Sequence, residues 1–200
     1  MNIKRTVVAL SALTLVSMFS NVASAEAVAF ENGVQIPPTS GTHGLSVDRS
    51  FQGVLNMVGP ITVNCMATFD GSVVIDDDGL HGRIHVNDVT LANTGAIGLC
   101  GLVSVTTPFT SNDVPATSLM DISTVAGDVD VKFENVTVTP CGTGDISVIF
   151  NNNQAGTTGP RPLNSEPSEI LFDDAELFDT GCKINGVISI QGEDLDIVNN

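Results

Sequence analysis

The stretch Ile61-Thr62-Val63-Asn64-Cys65-Met66-Ala67-Thr68-Phe69 decides the fold class of this chain. Its residues alternate with a period of two, which places Ile61, Val63, Cys65, Ala67 and Phe69 on one face of a β-strand. Asp70-Gly71 follows as a hairpin signal, with residues 72–75 beginning a return strand and Asp76-Asp77-Asp78-Gly79 ending it. Residues 81–91 are another strand candidate, with Ile84, Val86, Val89 and Leu91 apolar. Val129, Val131 and Phe133 alternate, and then Val136 and Val138 take over in the other register. That change of phase predicts a bulge or bend at Glu134-Asn135. Residues 146–150 and 186–190 complete the set.

Helical signals are scarce. No 12-residue window keeps a 3.6-residue apolar period, and only the stretch 165–178 is expected to hold a turn or short helix, around Asp173-Asp174-Ala175-Glu176. Short Val-, Ile- and Thr-rich runs separated by Gly, Asn and Asp predict an all-β chain. The expected architecture is an antiparallel β-sandwich or barrel-like domain stapled by disulfides. Residues 151–168 read as a long loop by composition.

The chain has 200 residues, with 23 Asp and Glu against 7 Lys and Arg, for a net charge of −16. Hydrophobic residues make up 42%, enough for a folded core, and the aromatic load is nine Phe with no Trp or Tyr. The acidic balance excludes the basic footprint of nucleic-acid binders and of polybasic membrane-surface proteins.

Residues 1–25 read as a secretory signal peptide. Lys4 and Arg5 precede an apolar run of 13 residues, Val7 to Phe19, too short for a membrane span, and Ala23-Ser24-Ala25 matches an A-x-A cleavage site. Removing this segment takes away two bases and no acid, leaving 5 bases against 23 acids, a net of −18. No later run is long enough for stable membrane insertion. The expected organisation is a signal peptide over 1–25, an N-terminal arm or pair of edge strands over 26–59, and the β-domain over 60–200. The expected location is secreted, extracellular or at the cell surface.

Cys65, Cys100, Cys141 and Cys182 all fall in the mature part. An even count in an exported chain reads as two disulfides. Three connectivities are open, and proximity along the chain favours Cys65–Cys100 with Cys141–Cys182. The alternative, a metal site or reactive thiol, lacks a C-x-x-C and a neighbouring His.

Other candidate chemistry is thin. His81 and His85 lie about 13 Å apart if residues 81–91 are a strand, too far to share a metal. The acidic run Asp76-Asp77-Asp78-Gly79 and the segment Gly192-Glu193-Asp194-Leu195-Asp196 lack the alternation of a calcium loop. No G-x-S-x-G elbow and no phosphate-cradling Gly-Lys loop occurs. No catalytic residue, metal ligand set or cofactor is expected.

The surroundings of the cysteines carry a resemblance. In order they read Val63-Asn64-Cys65-Met66-Ala67-Thr68-Phe69-Asp70-Gly71-Ser72-Val73, Gly98-Leu99-Cys100-Gly101, Pro140-Cys141-Gly142, Phe150-Asn151 and Gly181-Cys182-Lys183-Ile184-Asn185-Gly186. This order resembles the PraA/PraB-like family of exported bacterial proteins, described as activators of alkane oxidation, and covers about residues 61–190, most of the mature chain. The resemblance implies a non-enzymatic secreted protein that promotes growth on, or contact with, long-chain alkanes by a dispersing action, with a link to biofilm. Its expected partners are a hydrophobic substrate or oil–water interface, with self-association open. The competing expectation is a structural subunit of an extracellular fibre, pilus or biofilm matrix, with residues 27–36 as a donated strand.

Overall fold

A computed structural model describes residues 27–31, 34–37, 44–76, 81–95, 98–115, 128–151, 167–192 and 195–199. The expected signal segment, His43, residues 77–80 and 193–194, and most of the expected loop 151–168 lie outside these. Seven long strands form the body: β3 (Leu45–Val58), β4 (Thr62–Ile75), β5 (His81–Asn93), β9 (Asp128–Thr139), β10 (Gly142–Asn151), β11 (Glu169–Leu177) and β12 (Cys182–Ile190). Short strands complete the set: β1 (Ala27–Glu31), β2 (Val34–Gln35), β6 (Ser104–Thr106), β7 (Phe109–Thr110), β8 (Val114–Pro115) and β13 (Leu195–Asn199). A 3-10 turn spans Leu99–Leu102.

The chain is all-β and antiparallel. Strands β3-β4-β5 form one meander and β9-β10-β11-β12 another, and β12 joins β3 to make one sheet that curls into a nearly closed barrel. The seam lies between β5 and β9. Strand β6 lines it from β9, and β7 and β8 line it from β5. Two residues stitch it. Ser111 donates its N–H to the Ile84 carbonyl at 2.9 Å, and its Oγ accepts the Ile84 N–H. Asn112 donates its N–H to the Lys132 carbonyl, and its Oδ1 accepts the Lys132 N–H. Backbone groups that would be an exposed edge are satisfied there.

The alternation read from residues 61–69 sets the inside of the barrel. Val63, Cys65 and Ala67 are buried there, and Phe69 packs against the same core. Strand β3 contributes Leu45, Val47, Phe51, Leu55 and Met57, opposite β4 over fourteen paired residues. The stretch 26–59, expected as an arm or edge pair, therefore divides. Residues 27–35 join β13 in a separate three-stranded sheet of order β13-β1-β2, while residues 45–58 form a central barrel strand with partners on both sides. Phe133, Phe150, Leu177 and Ile188 fill the middle, with Phe109 edge-on to Phe133 at 5.3 Å between ring centroids.

Three bulges curve the sheet, each at a pair of acid or amide residues between inward-facing apolar ones. On β9, Glu134 and Asn135 together oppose Asp145, as the phase change predicts. Asn135 takes a φ of 56°, and its N–H donates to Asp145 Oδ1 at 3.0 Å. On β11, Asp173 and Asp174 oppose Asn185. Asp174 takes a φ of 46° and donates its N–H to Asn185 Oδ1 at 2.8 Å. On β5 the extra residue is Asn87. Each bulge adds twist and lets the inward face continue in the opposite phase.

Two expectations are corrected here. The segment around Asp173–Glu176 is strand rather than turn or helix, because Ile170 and Phe172 point inward before the bulge and Ala175 and Leu177 after it. Asp70-Gly71 is not a hairpin, since β4 runs through it without a break to Ile75. Gly71 serves a close approach instead: a Cβ there would overlap the His85 carbonyl, opposite the β5 bulge.

Candidate functional site

Both disulfides sit at one end of the barrel. Cys65 pairs with Cys100 and Cys141 with Cys182, with Cα–Cα separations of 5.8 and 5.9 Å. The first ties the start of β4 to the 3-10 turn after β5. The second ties the β9–β10 turn to the start of β12. The pairing favoured by proximity along the chain is the one present, and the two disulfides are compatible with an oxidising environment. At this cystine end the turn after β3 needs glycine. A Cβ on Gly59 would overlap Cys182 Sγ.

The aliphatic face of the sheet is the barrel's interior, so it is not available to an oil surface. Among the described residues six large apolar side chains remain exposed: Val54, Val58, Leu99, Leu102, Phe178 and Val187. All six lie on the cystine half. Leu102 is 59% exposed on the 3-10 turn beside Cys100, and Phe178 is 64% exposed in the turn before Cys182. The Phe178 N–H donates to the Asp145 carbonyl, which fixes that turn with its ring outward.

The outer wall that runs up to this end, across β12, β3, β4 and β5, is nearly free of charge. A central apolar row crosses it. Leu171 pairs with Val187, the β12–β3 register sets Val187 opposite Val54, and Val54 pairs with Met66, which pairs with Ala92. Toward the cystine end lies an amide row, Asn185, Asn56 and Asn64, in which Asn56 Nδ2 donates to Asn64 Oδ1 at 2.8 Å. On the other side lies a row of Ser189, Gln52, Thr68 and Thr90, in which Gln52 Nε2 donates to Thr68 Oγ1 at 3.0 Å. The wall's one ionic side chain is Lys183, whose Nζ is 4.0 Å from Asp174 Oδ2.

Carboxylates border the wall. Asp173, Asp174 and Glu176 on β11 flank one side, and Asp48, Asp70 and Asp88 stand beyond it toward the opposite end of the barrel. An outer groove on the β10–β11 side is lined by Lys132, Asp145, Ser147, Asp174, Glu176 and Phe178. Lys132 Nζ lies 2.7 Å from Asp145 Oδ2 and 3.4 Å from Glu134 Oε1. The hydrogen bond to Asp145 holds the ammonium above the usual lysine range. The same bond, with the Asn135 N–H second, holds the Asp145 carboxyl below the ordinary aspartate range. Both groups are thereby held charged, which suits a structural pin at the bulge and not proton transfer at neutral pH.

His81 and His85 stand four residues apart on β5, and His85 Nδ1 is 2.7 Å from Thr110 Oγ1. Among the described residues no group of three His, Cys, Asp or Glu gathers to hold a metal, and no helix is long and apolar enough to cross a membrane. Sequence reading located the cysteines but missed the wall. The available signal was the solvent-facing half of residues 61–69, where Thr62, Asn64, Met66 and Thr68 carry no charge in a strongly acidic chain. Compared with protein-family models, curated proteins and solved structures, the chain matches none.

Proposed function

We propose that this chain is an exported, non-catalytic protein that sets its cystine end against long-chain alkanes and so promotes bacterial contact with, and growth on, them. The observation that carries this reading is the segregation of the surface. Among the described residues the exposed apolar side chains gather on the disulfide-pinned half, with Asp179 beside Phe178 as the carboxylate among them, while other carboxylates line the flanks. Apolar burial contributes about 25 cal/mol per Å². A handful of half-exposed side chains thus supports reversible adsorption rather than insertion. The protein's negative charge then faces water and keeps coated droplets apart by repulsion. A barrel pinned at its wetted end resists unfolding at the oil surface, which would otherwise draw out its own aliphatic core. The resemblance to the PraA/PraB-like family supports the same reading.

The test is growth of a strain lacking this chain. It grows normally on a soluble carbon source and poorly on hexadecane, and it is restored by the wild-type chain but not by one carrying Leu102→Ser and Phe178→Ser. Equal growth of the deletion strain on both carbon sources overturns the proposal.

A further inference from the structure

We infer that the three-stranded sheet β13-β1-β2 is a lid on the barrel, latched by the Arg49–Glu31 ion pair and released from it as one unit. The lid belongs to the half of the barrel away from the cystines, and the inference does not rest on the alkane reading.

The barrel supplies one side of the latch. Along β3 the inward phase runs Leu45, Val47, Phe51, Leu55 and Met57, and Arg49 falls in that phase between Val47 and Phe51. Its side chain is only 11% exposed. A guanidinium taken out of water beside an aliphatic core is costly unless a carboxylate pairs with it. Asp48, its neighbour in the chain, lies on the outer phase and accepts from Nη1 with its carbonyl, at 2.7 Å. The carboxylate comes from Glu31, the last residue of β1, which accepts from Nη2. Arg49 Nε is buried with no hydrogen-bond partner. The barrel thus carries a cation whose counter-charge sits on the other sheet. An apolar side chain at position 49 would serve the core as well, because a buried ion pair adds little net stability over a well-packed apolar one. What the pair does supply is a contact that holds only in one arrangement of the two sheets.

The small sheet is arranged to leave as a unit. β1 pairs with β13 over five residues, from Ala27 opposite Asn199 to Glu31 opposite Leu195, and β2 pairs with β1. No ladder joins this sheet to the barrel sheet. On the β13 side the Gln191 N–H still donates to the Ser50 carbonyl at 2.8 Å, and Gly192 just beyond takes a left-handed φ of 86° with open space around it. Glycine turns there without a steric cost. Pivot and latch therefore share neighbouring residues of β3, Ser50 and Arg49. On the other side Ile36, just after β2, packs against the barrel core. So small a sheet needs a body to pack on, so releasing the latch also loosens the β1–β13 ladder. It opens at a lower free energy than the fourteen-pair β3–β4 ladder.

The test is hydrogen exchange, read by mass spectrometry on the purified chain with both disulfides intact. In the wild type the ladder amides of residues 27–31 and 195–199 share one protection factor, at least about tenfold below that of β3 and β4. Glu31→Gln removes the latch charge and lowers protection in both segments together by about tenfold or more, while β4 and β10 stay well protected. Arg49→Lys keeps the cation but loses the fork that reaches Glu31 and the Asp48 carbonyl together, and gives a smaller fall; it reads the latch from the barrel side should Glu31→Gln fail to fold. Arg83→Gln breaks the ion pair on β5 and leaves the lid at its wild-type protection. Lid and barrel sharing one protection factor, β1 and β13 released separately, or latch variants that leave lid protection unchanged each overturn the inference.

Discussion

The two ends of the barrel are held by different chemistry. At the cystine end two covalent bridges join strand ends and turns that are far apart in sequence, with separations of 35 and 41 residues. At the other end ion pairs do the tying. Arg83 on β5 bonds both carboxylate oxygens of Asp76 and lies 3.2 Å from Asp113, and Arg49 on β3 reaches Glu31 of the small sheet. An intact bridge is not screened by salt, whereas an exposed ion pair is worth little and is screened. The difference matches what each end faces in the proposed function. Among the described residues the large exposed apolar side chains lie on the covalently pinned half.

The comparison predicts a graded set of losses. Replacing Cys141 and Cys182 by Ser removes a bridge worth about 4 kcal/mol by loop entropy, read as a fall in thermal midpoint or urea midpoint. A loss under about 1 kcal/mol would show that strand pairing alone secures that end. Gly59→Ala, with both bridges retained, costs about 1–3 kcal/mol, because its methyl meets Cys182 Sγ and the turn must shift. At the opposite end Arg83→Ala costs at most about 1 kcal/mol and less at high salt, since the pair is about one-third exposed. An Arg83 effect as large as that of the bridge would erase the contrast.

The smallest effect is a pH dependence at the β9 bulge. Asp145 is held below its ordinary range, so its contribution to stability is present above the unfolded aspartate value of about 3.9 and is lost as pH falls through the lower folded value. The urea midpoint of the wild type therefore drops between about pH 5 and pH 3. Asp145→Asn removes part of that drop, and an unchanged profile would place the acid sensitivity elsewhere.

How far the fold was legible turns on the bulges. Residues 61–69 gave the inward face of β4 correctly because period-two alternation is local and the barrel interior is apolar throughout. The β9 bulge was also legible, since Val131 and Phe133 in one phase and Val136 and Val138 in the other flank the break on both sides. The same device on β11 was read as a turn or helix. Asp173-Asp174 is doubly acidic, and Phe172, Ala175 and Leu177 fall in no single strand phase. Its strand character comes from Asn185 on β12 receiving the Asp174 N–H, a contact made across strands. Asp70-Gly71 failed for a related reason. Its glycine answers the bulge on β5, a demand set by the neighbour rather than by the local chain. The cystine end was half legible. Its cysteines were plain, but the gathering of Val54, Leu102, Phe178 and Val187 on one half depends on the β12–β3 junction, which joins residues more than a hundred positions apart.

The most direct test of the central claim is the tension of a hexadecane–water interface. It compares the wild-type chain, a chain carrying Leu102→Ser and Phe178→Ser, and a chain carrying Asp130→Asn outside the cystine end. The account predicts that the wild type and Asp130→Asn lower the tension alike and that the double variant lowers it markedly less. No lowering by the wild type, or equal lowering by all three, would contradict it.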